Sequence, residues 1–376
     1  MGETADAIIV GAGIVGAACA EALARDGLRV VVVESSAVGA GATAAGMGHI
    51  VVVDDSEAQF ALTRYSHDLW AQAAPSLPPD VEFDACGTLW VADGEEEMAA
   101  VRRKHAFYAA RGVPAEILEA ATLAEAEPNL RPGLAGALLI PGDSVIYAPR
   151  ATAWLLEQAR RRGAALRLGA AVTAIGRDGV VLAGSGRIHA AVTICATGAW
   201  ATALVPGLAM RPRKGHLAIT DRYHGFLRRQ LVELGYLKSA HGDAAESVAF
   251  NAQPRKTGQI LIGSSRQYGV TDPGVDTPIL RRMLGRAIEY MPALARLSVI
   301  RVWTGFRAAT DDKLPLVGPC PGLDRVYLAT GHEGLGITTS LGTARLLADM
   351  IAGRRPEIDP TPYLPSRIPS PVNDHA

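Results

Sequence analysis

Three glycines and one acid have a spacing that suits the chemistry of holding a nucleotide. Gly11-Ala12-Gly13-Ile14-Val15-Gly16 is a glycine-rich turn, and Glu34 stands 23 positions after its first glycine. Gly11 permits a tight turn out of a strand. Gly13 lets backbone approach a pyrophosphate with no Cβ in the way, and Gly16 lets a helix pack closely on the strand. Ile14 and Val15 belong to the same turn. A helix N-terminus here offers N–H groups and a partial positive charge to phosphate oxygens. The Glu34 carboxylate can accept hydrogen bonds from both hydroxyls of an adenosine ribose, with Ser35 beside it. It would repel a 2′-phosphate, so NADP is disfavoured.

These residues need particular elements around them. The apolar run 7–10 reads as a buried strand, 17–26 as an alanine-rich helix, and Gly27 as its cap. Residues 28–33 read as a second, β-branched strand that ends at Glu34. Together they make a βαβ unit with the acid in register.

Composition bounds the rest. The chain has 376 residues, half of them apolar, which is enough for two domains or one large one. Net charge is −1 with no basic block, so nucleic acid is not an expected partner. Cys19, Cys86, Cys195 and Cys320 lie far apart and match neither metal nor disulfide spacing. No metal is implied, and a reducing compartment is expected. No apolar run is long enough to span a membrane, and the first strand leaves no room for a cleavable signal. A cytoplasmic location is therefore expected.

Residues 35–48 are almost all small, including Thr43, Ala44, Ala45, Gly46 and Met47. Backbone here can pass close to a flat ring, or it can be a plain flexible loop. Helices are expected at 58–73, 95–111, 122–127, 149–162, 278–291 and 337–352. Strands are expected at 83–92, 134–140, 166–175, 180–182, 187–194, 217–220, 247–251, 259–263, 299–307 and 326–329. The 187–194 strand runs into Cys195-Ala196-Thr197-Gly198-Ala199-Trp200, which can set backbone against a nucleotide. The fold class is α/β, with a Rossmann-like domain built from residues 1–80, 145–205 and 305–365. An antiparallel-sheet α+β domain is inserted as 81–144 and 206–304. Residues 366–376 form a tail, and the proline-rich stretch 356–371 is expected on the surface or on a partner.

The whole chain resembles the D-amino acid oxidase family of FAD-dependent amine oxidoreductases, which includes glycine oxidase, sarcosine oxidase and D-amino acid dehydrogenase. The resemblance rests on the opening glycines with Glu34, the small-residue stretch up to Gly48, and Ala196-Thr197-Gly198-Ala199-Trp200. It rests also on Gly305-Phe306-Arg307, on Asp312-Lys313-Leu314-Pro315-Leu316-Val317-Gly318, and on Gly331-His332-Glu333-Gly334-Leu335-Gly336. Within the family, this last block with Ile337-Thr338, and Met47-Gly48-His49-Ile50, look like the catalytic subunit of multi-subunit dehydrogenases. Those act on opines, hydroxyproline, proline, or glycine in hydrogen cyanide synthase. Glycine oxidase-like members carry Arg-Asn-Gly after the histidine, and this chain does not.

The resemblance implies FAD, hydride transfer from the carbon beside an amine to flavin N5, and an imine product. It places Arg307 as the bidentate partner of a substrate carboxylate; a structural ion pair with Asp311 or Asp312 is the bland alternative. His332 and His49 are candidates for the substrate pocket, or else structural histidines. Thr43 to Met47 should lie along the flavin, and Val172 should contact adenine through its backbone. Ala196, Thr197, Gly198 and Trp200 should face the dinucleotide. Gly331, Glu333, Gly334, Leu335, Gly336 and Ile337 should offer the last helix's N-terminus to the flavin pyrimidine ring, with Thr338 adding a hydroxyl. Arg211, Arg213 and Lys214 should run beside the active site, or form a solvated face.

The reading is a D-hydroxyproline or D-proline dehydrogenase β-type subunit acting on a small amino or imino acid, with other subunits as possible partners. Glycine or sarcosine oxidation and an opine dehydrogenase subunit are alternatives. Of other classes, a nicotinamide-dependent dehydrogenase would share the opening motif but not the glycine-rich C-terminal helix start. A non-catalytic nucleotide-binding subunit would bind flavin that no amine reduces.

Overall fold

A computed structural model describes residues 3–184, 186–235 and 246–368. Among them, two eight-stranded sheets carry the architecture, and a two-stranded ribbon joins His49–Ile50 to Ser144–Val145. In the first sheet, Val326–Thr330, Arg187–Cys195, Glu3–Val10, Val30–Glu34 and Ala165–Leu168 run parallel, in that order. Leu316–Pro319 closes one edge antiparallel. Residues 7–10, 30–33 and 328–330 of these strands are buried on both faces, which is why they read as unbroken apolar runs, while Arg187–Cys195 is buried throughout only at its last three residues and the edge strand Ala165–Leu168 is part-exposed.

Ile14–Arg25, Ala148–Arg161 and Gly336–Ile351 pack on one face of this sheet, with Glu57–Ala73 against the last. The alanines of Ile14–Arg25 allow the close approach. At the junction the fully buried Trp70 donates its indole N–H to the carbonyls of Ile337 and Thr338, at 3.3 and 3.2 Å. Packing thus pins the first turn of the last helix against Glu57–Ala73.

The second sheet has the order Val299–Thr310, Met210–Thr220, Ile260–Tyr268, Glu246–Pro254, Gln230–Glu233, Thr88–Ala92, Gly136–Ile140, Glu116–Glu119. All its pairings are antiparallel except Gln230–Glu233 beside Thr88–Ala92, which is parallel. Thr277–Tyr290 covers one face, where Phe250 and Tyr290 stack with ring centroids 4.8 Å apart.

Several expectations change. The first helix starts at Ile14 rather than at 17, so Ile14 and Val15 are helical. The single strand expected at 166–175 is two, Ala165–Leu168 and Val172–Gly176, because Gly169 turns the chain at φ +68°. The 217–220 strand extends back to Met210, and the 299–307 strand runs on to Thr310. The proline-rich stretch is in part pinned to the body. Tyr363 is buried with its hydroxyl donating to Ala58 O, and Arg367 pairs with Asp312. Residues 369–376 of the expected tail lie outside the described residues.

No helix among the described residues is long and apolar enough to cross a membrane. The described residues hold no cluster of metal-ligating side chains, and all four cysteines are free thiols.

A long cleft as the candidate active site

A cleft of about 670 Å³ runs from the C-terminal edge of the parallel strands to the second sheet. That volume is within the ordinary range for ligand sites. The first sheet ends at this cleft, where a ligand of an open α/β sheet is expected.

At one end, Glu34 is fixed rather than floating. Its Oε2 accepts from Ala12 N–H at 2.8 Å, and its Oε1 accepts from Ser36 N–H at 2.8 Å and from the Ser35 hydroxyl at 3.2 Å. Gly11 holds φ +106°, and a Cβ there would come within 2.7 Å of Ala196 O. Gly16 faces away from the cleft, and a Cβ there would collide with Gly11 O. Its contribution is packing. Gly13 has only Thr43 Oγ1 near the place of its missing Cβ, while Ile14 N–H donates to that same oxygen at 3.0 Å. Thr43 therefore ties the small-residue stretch to the helix start.

Of the residues singled out from the sequence, the cleft brings together Gly11, Gly13, Ile14, Val15, Glu34, Ser35, Thr43, Ala45, Gly46, Met47 and His49. It adds Val172, Ala196, Thr197, Gly198 and Trp200 from mid-chain, and Arg307, Gly331, His332, Glu333, Gly334, Gly336 and Ile337 from the end. Gly16, Ala44, Leu335 and Thr338 do not line it. Ala44 turns to a smaller pocket behind. The Thr338 hydroxyl donates to His49 O at 2.8 Å, so the donor expected for the flavin is engaged. Glu333 N–H donates to Ala308 O at 2.8 Å and Leu335 N–H to His332 O at 2.9 Å, which removes two more of the expected donors.

The Arg307 guanidinium lies in the cleft wall. Its Nη1 donates to Ser265 O at 3.1 Å. Its course across the sheet depends on Gly215, its diagonal neighbour, since a Cβ there would collide with the guanidinium. The acids weighed as its partners have other arginines: Asp311 pairs with Arg211 at 2.6 Å and Asp312 with Arg367.

Arg213 and Lys214 are buried and thus no solvated face. Arg213 pairs with Glu333 and lies over the Tyr268 ring, and Lys214 Nζ is 3.8 Å from Asp272. None of Arg211, Arg213 and Lys214 lines the cleft; Gly215 and Leu217 of the same strand do. Glu333→Ala would leave the Arg213 charge buried without its acid. A loss of about 3–5 kcal/mol is expected, read as a fall in unfolding midpoint in urea.

His332 is buried, with Nε2 2.9 Å from the Thr343 hydroxyl, and burial pushes its pKa down to about 4. His49 is likewise driven to about 4 by burial, and its Nε2 has no hydrogen-bond partner among the described residues. Both rings are neutral at pH 7. Their native pKa lies below the unfolded value near 6.5, so the unfolded chain binds protons first on acidification. The stability they contribute is full above about pH 6.5 and is lost as pH falls towards 4, by roughly 3 kcal/mol for each. Urea unfolding of His332→Gln at pH 7 and pH 5 should show a shallower pH dependence than the parent.

Asn251 and Ser264 also line the cleft, and sequence reasoning passed over them. The signal was available, as each is a buried polar residue inside an apolar strand run, and Asn251 Oδ1 has no partner among the described residues.

Comparison with known proteins fits this geometry. The family described as DAO, FAD dependent oxidoreductase, matches residues 6–350. A glycine oxidase of Pseudomonas aeruginosa is 30% identical over 96% of this chain and 98% of its own length. The hydrogen cyanide synthase subunit HcnC of the same species is 27% identical over 98% and 97%. The crystal structure of glycine oxidase from Geobacillus kaustophilus superposes with a TM-score of 0.88 at 28% identity, covering 98% of this chain and all of that one. The glycine turn, the fixed acid and the family match over most of the chain agree, and the chain belongs to the DAO family of FAD-dependent oxidoreductases as an amine or amino-acid oxidoreductase.

Proposed function

We propose that this chain oxidises a small D-amino or secondary-amine acid, with FAD extended along the cleft and the substrate carboxylate on Arg307. The observation that carries the reading is one continuous cleft lined both by Glu34, from the first sheet, and by Arg307, from the second. Two features suit the cofactor: a glycine cradle that a Cβ would fill, and a carboxylate already oriented by backbone N–H groups. FAD supplies the hydride acceptor and the protein supplies orientation and charge.

In this reading Gly11, Gly13, Ile14 and Val15 hold the diphosphate, and Glu34 and Ser35 the ribose. Val172 and Thr197 to Trp200 flank the adenosine half. Thr43, Ala45, Gly46 and Met47 lie along the ring, with Gly334 and Gly336 at its pyrimidine edge. Residues 1–80, 145–205 and 305–365 form the cofactor half, and 81–144 and 206–304 the substrate half. Arg307 fixes the carboxylate by charge-assisted hydrogen bonds, and the neutral His49 and His332 place no second cation beside the substrate amine.

The substrate proposed first is a cyclic secondary amine of the D-proline or D-hydroxyproline type, with electrons passed to partner subunits. The similarity to HcnC, a subunit by name, favours the assembly. A second reading, glycine oxidation, is favoured by the 30% identity to a glycine oxidase. Anaerobic mixing of the FAD-loaded protein with D-proline, cis-4-hydroxy-D-proline, sarcosine, glycine and an opine tests both. The two prolines should bleach the flavin fastest. Fastest bleaching by glycine selects the second reading, and bleaching by none overturns both.

A further inference from the structure

The Arg307 guanidinium is held at a break in the second sheet. The ladder between Met210–Thr220 and Ile260–Tyr268 passes from Lys214↔Gln267 to Ala218↔Ile262, so residues 215–217 face the four residues 263–266. The extra residue makes a β-bulge, which disrupts the ladder locally and re-aims the groups beside it. One of those groups is the Ser265 carbonyl, which accepts from Arg307 Nη1 at 3.1 Å.

His216 supplies what the ladder does not. Its Nε2 accepts from Asp276 N–H at 2.9 Å, so the ring proton sits on Nδ1. Nδ1–H donates to the Ser265 hydroxyl at 2.8 Å, and the His216 backbone N–H donates to the same oxygen at 2.9 Å. Both residues are fully buried. One imidazole therefore joins the bulge to the segment before the helix Thr277–Tyr290. That segment borders the cleft. Thr304, which lines the cleft, is the register partner of His216, and its hydroxyl donates to Pro273 O at 2.5 Å.

We propose that His216 is a positioning residue for the substrate: its neutral ring fixes Ser265 and, through the Ser265 carbonyl, the Arg307 fork, and protonation of the ring releases both. The inference rests on the reading of Arg307 as the carboxylate site. A guanidinium that meets a carboxylate through two parallel bonds tolerates little displacement. A proton on Nε2 would set one N–H against another, that of Asp276, and break the bond. The charged groups that act on the ring are Lys214 of its own strand, Asp276 beside it and Arg307 of the neighbouring strand. Burial first, then the Lys214 charge, holds its pKa below the usual 6.5 against the pull of Asp276. The neutral form therefore prevails at pH 7, and the hold on a carboxylate should weaken in acid.

The test titrates the FAD-loaded protein with tetrahydrofuran-2-carboxylate, followed by flavin absorbance. This probe has the carboxylate but no amine, and it stays ionised from pH 7 to pH 5. In the parent, Kd should rise severalfold between those two pH values, while His49 and His332 stay neutral. His216→Ala should raise Kd tenfold or more at pH 7. His216→Gln keeps one donor and one acceptor, so it should stay within threefold of the parent at pH 7 and lose the pH dependence. Ser265→Ala, a smaller change, should raise Kd severalfold, and it decides the matter if His216→Ala does not fold. With an amino-acid substrate, His216→Ala should raise KM more than it lowers kcat. An unchanged Kd in Ser265→Ala, or the parental pH dependence in His216→Gln, overturns the inference alone. Parental binding of the probe by Arg307→Ala overturns the carboxylate site, and this inference with it.

Discussion

Arg307→Ala should raise the KM for an amino-acid substrate by about one and a half to three orders of magnitude, while the protein keeps its flavin. The guanidinium is half-buried in the cleft wall, and a charge-assisted pair with a carboxylate in such a place contributes roughly 2–4 kcal/mol. Truncation removes the pair and the orientation it imposes, so kcat should fall as well. Gly215→Ala is the companion test. It leaves the arginine in place, but its Cβ would occupy the space of the guanidinium and force it aside. An intermediate rise in KM is expected there, with little change in Tm. Steady-state kinetics with the best substrate from the anaerobic screen decide it. A parental KM in Arg307→Ala would remove this residue from substrate binding.

Gly16→Ala should abolish FAD retention. The added Cβ would be driven into the carbonyl oxygen of Gly11, which is backbone and cannot swing away. Either the helix Ile14–Arg25 lifts off the Glu3–Val10 strand or the turn opens. Both displace Gly11 and Gly13 and with them the proposed diphosphate site. Overpacking of this kind costs about 1–3 kcal/mol in stability, but its larger effect is on the cofactor, because the turn is where the methyl must be accommodated. Purification should give a colourless protein with parental far-ultraviolet circular dichroism and a lowered Tm. Stoichiometric flavin in the Gly16→Ala protein would show that close helix packing at this point is dispensable.

The part of the site legible in the sequence is the part made by local chemistry. Gly11, Gly13 and Gly16 announce a turn by their spacing, and Glu34 closes the unit within one βαβ length. Contacts made across long separations were not legible. Gln230–Glu233 is four residues long and has polar ends. It is a strand because Thr88–Ala92 and Glu246–Pro254 supply partners on its two sides. Arg213 and Glu333 are 120 positions apart, so a basic cluster read as either solvated or near the site became a buried pair beside the cleft. The Thr338 hydroxyl bonds the His49 carbonyl, 289 positions away in the chain, a contact that no local pattern announces. Gly169 sits in a stretch whose apolar pattern continues on either side, so only its positive φ reveals the break. The place of Arg307 followed from family likeness, and the structure adds what holds it there, the Ser265 carbonyl and the gap at Gly215.

The most direct test is a titration of FAD into cofactor-depleted protein, followed by absorbance and by quenching of flavin fluorescence, with Glu34→Arg and Gly16→Ala in parallel. One FAD should bind per chain, with a resolved and shifted flavin spectrum, and both variants should lose affinity by tenfold or more. No uptake by the parental protein, or equal uptake by all three, would contradict a dinucleotide lying along the cleft between Glu34 and Arg307.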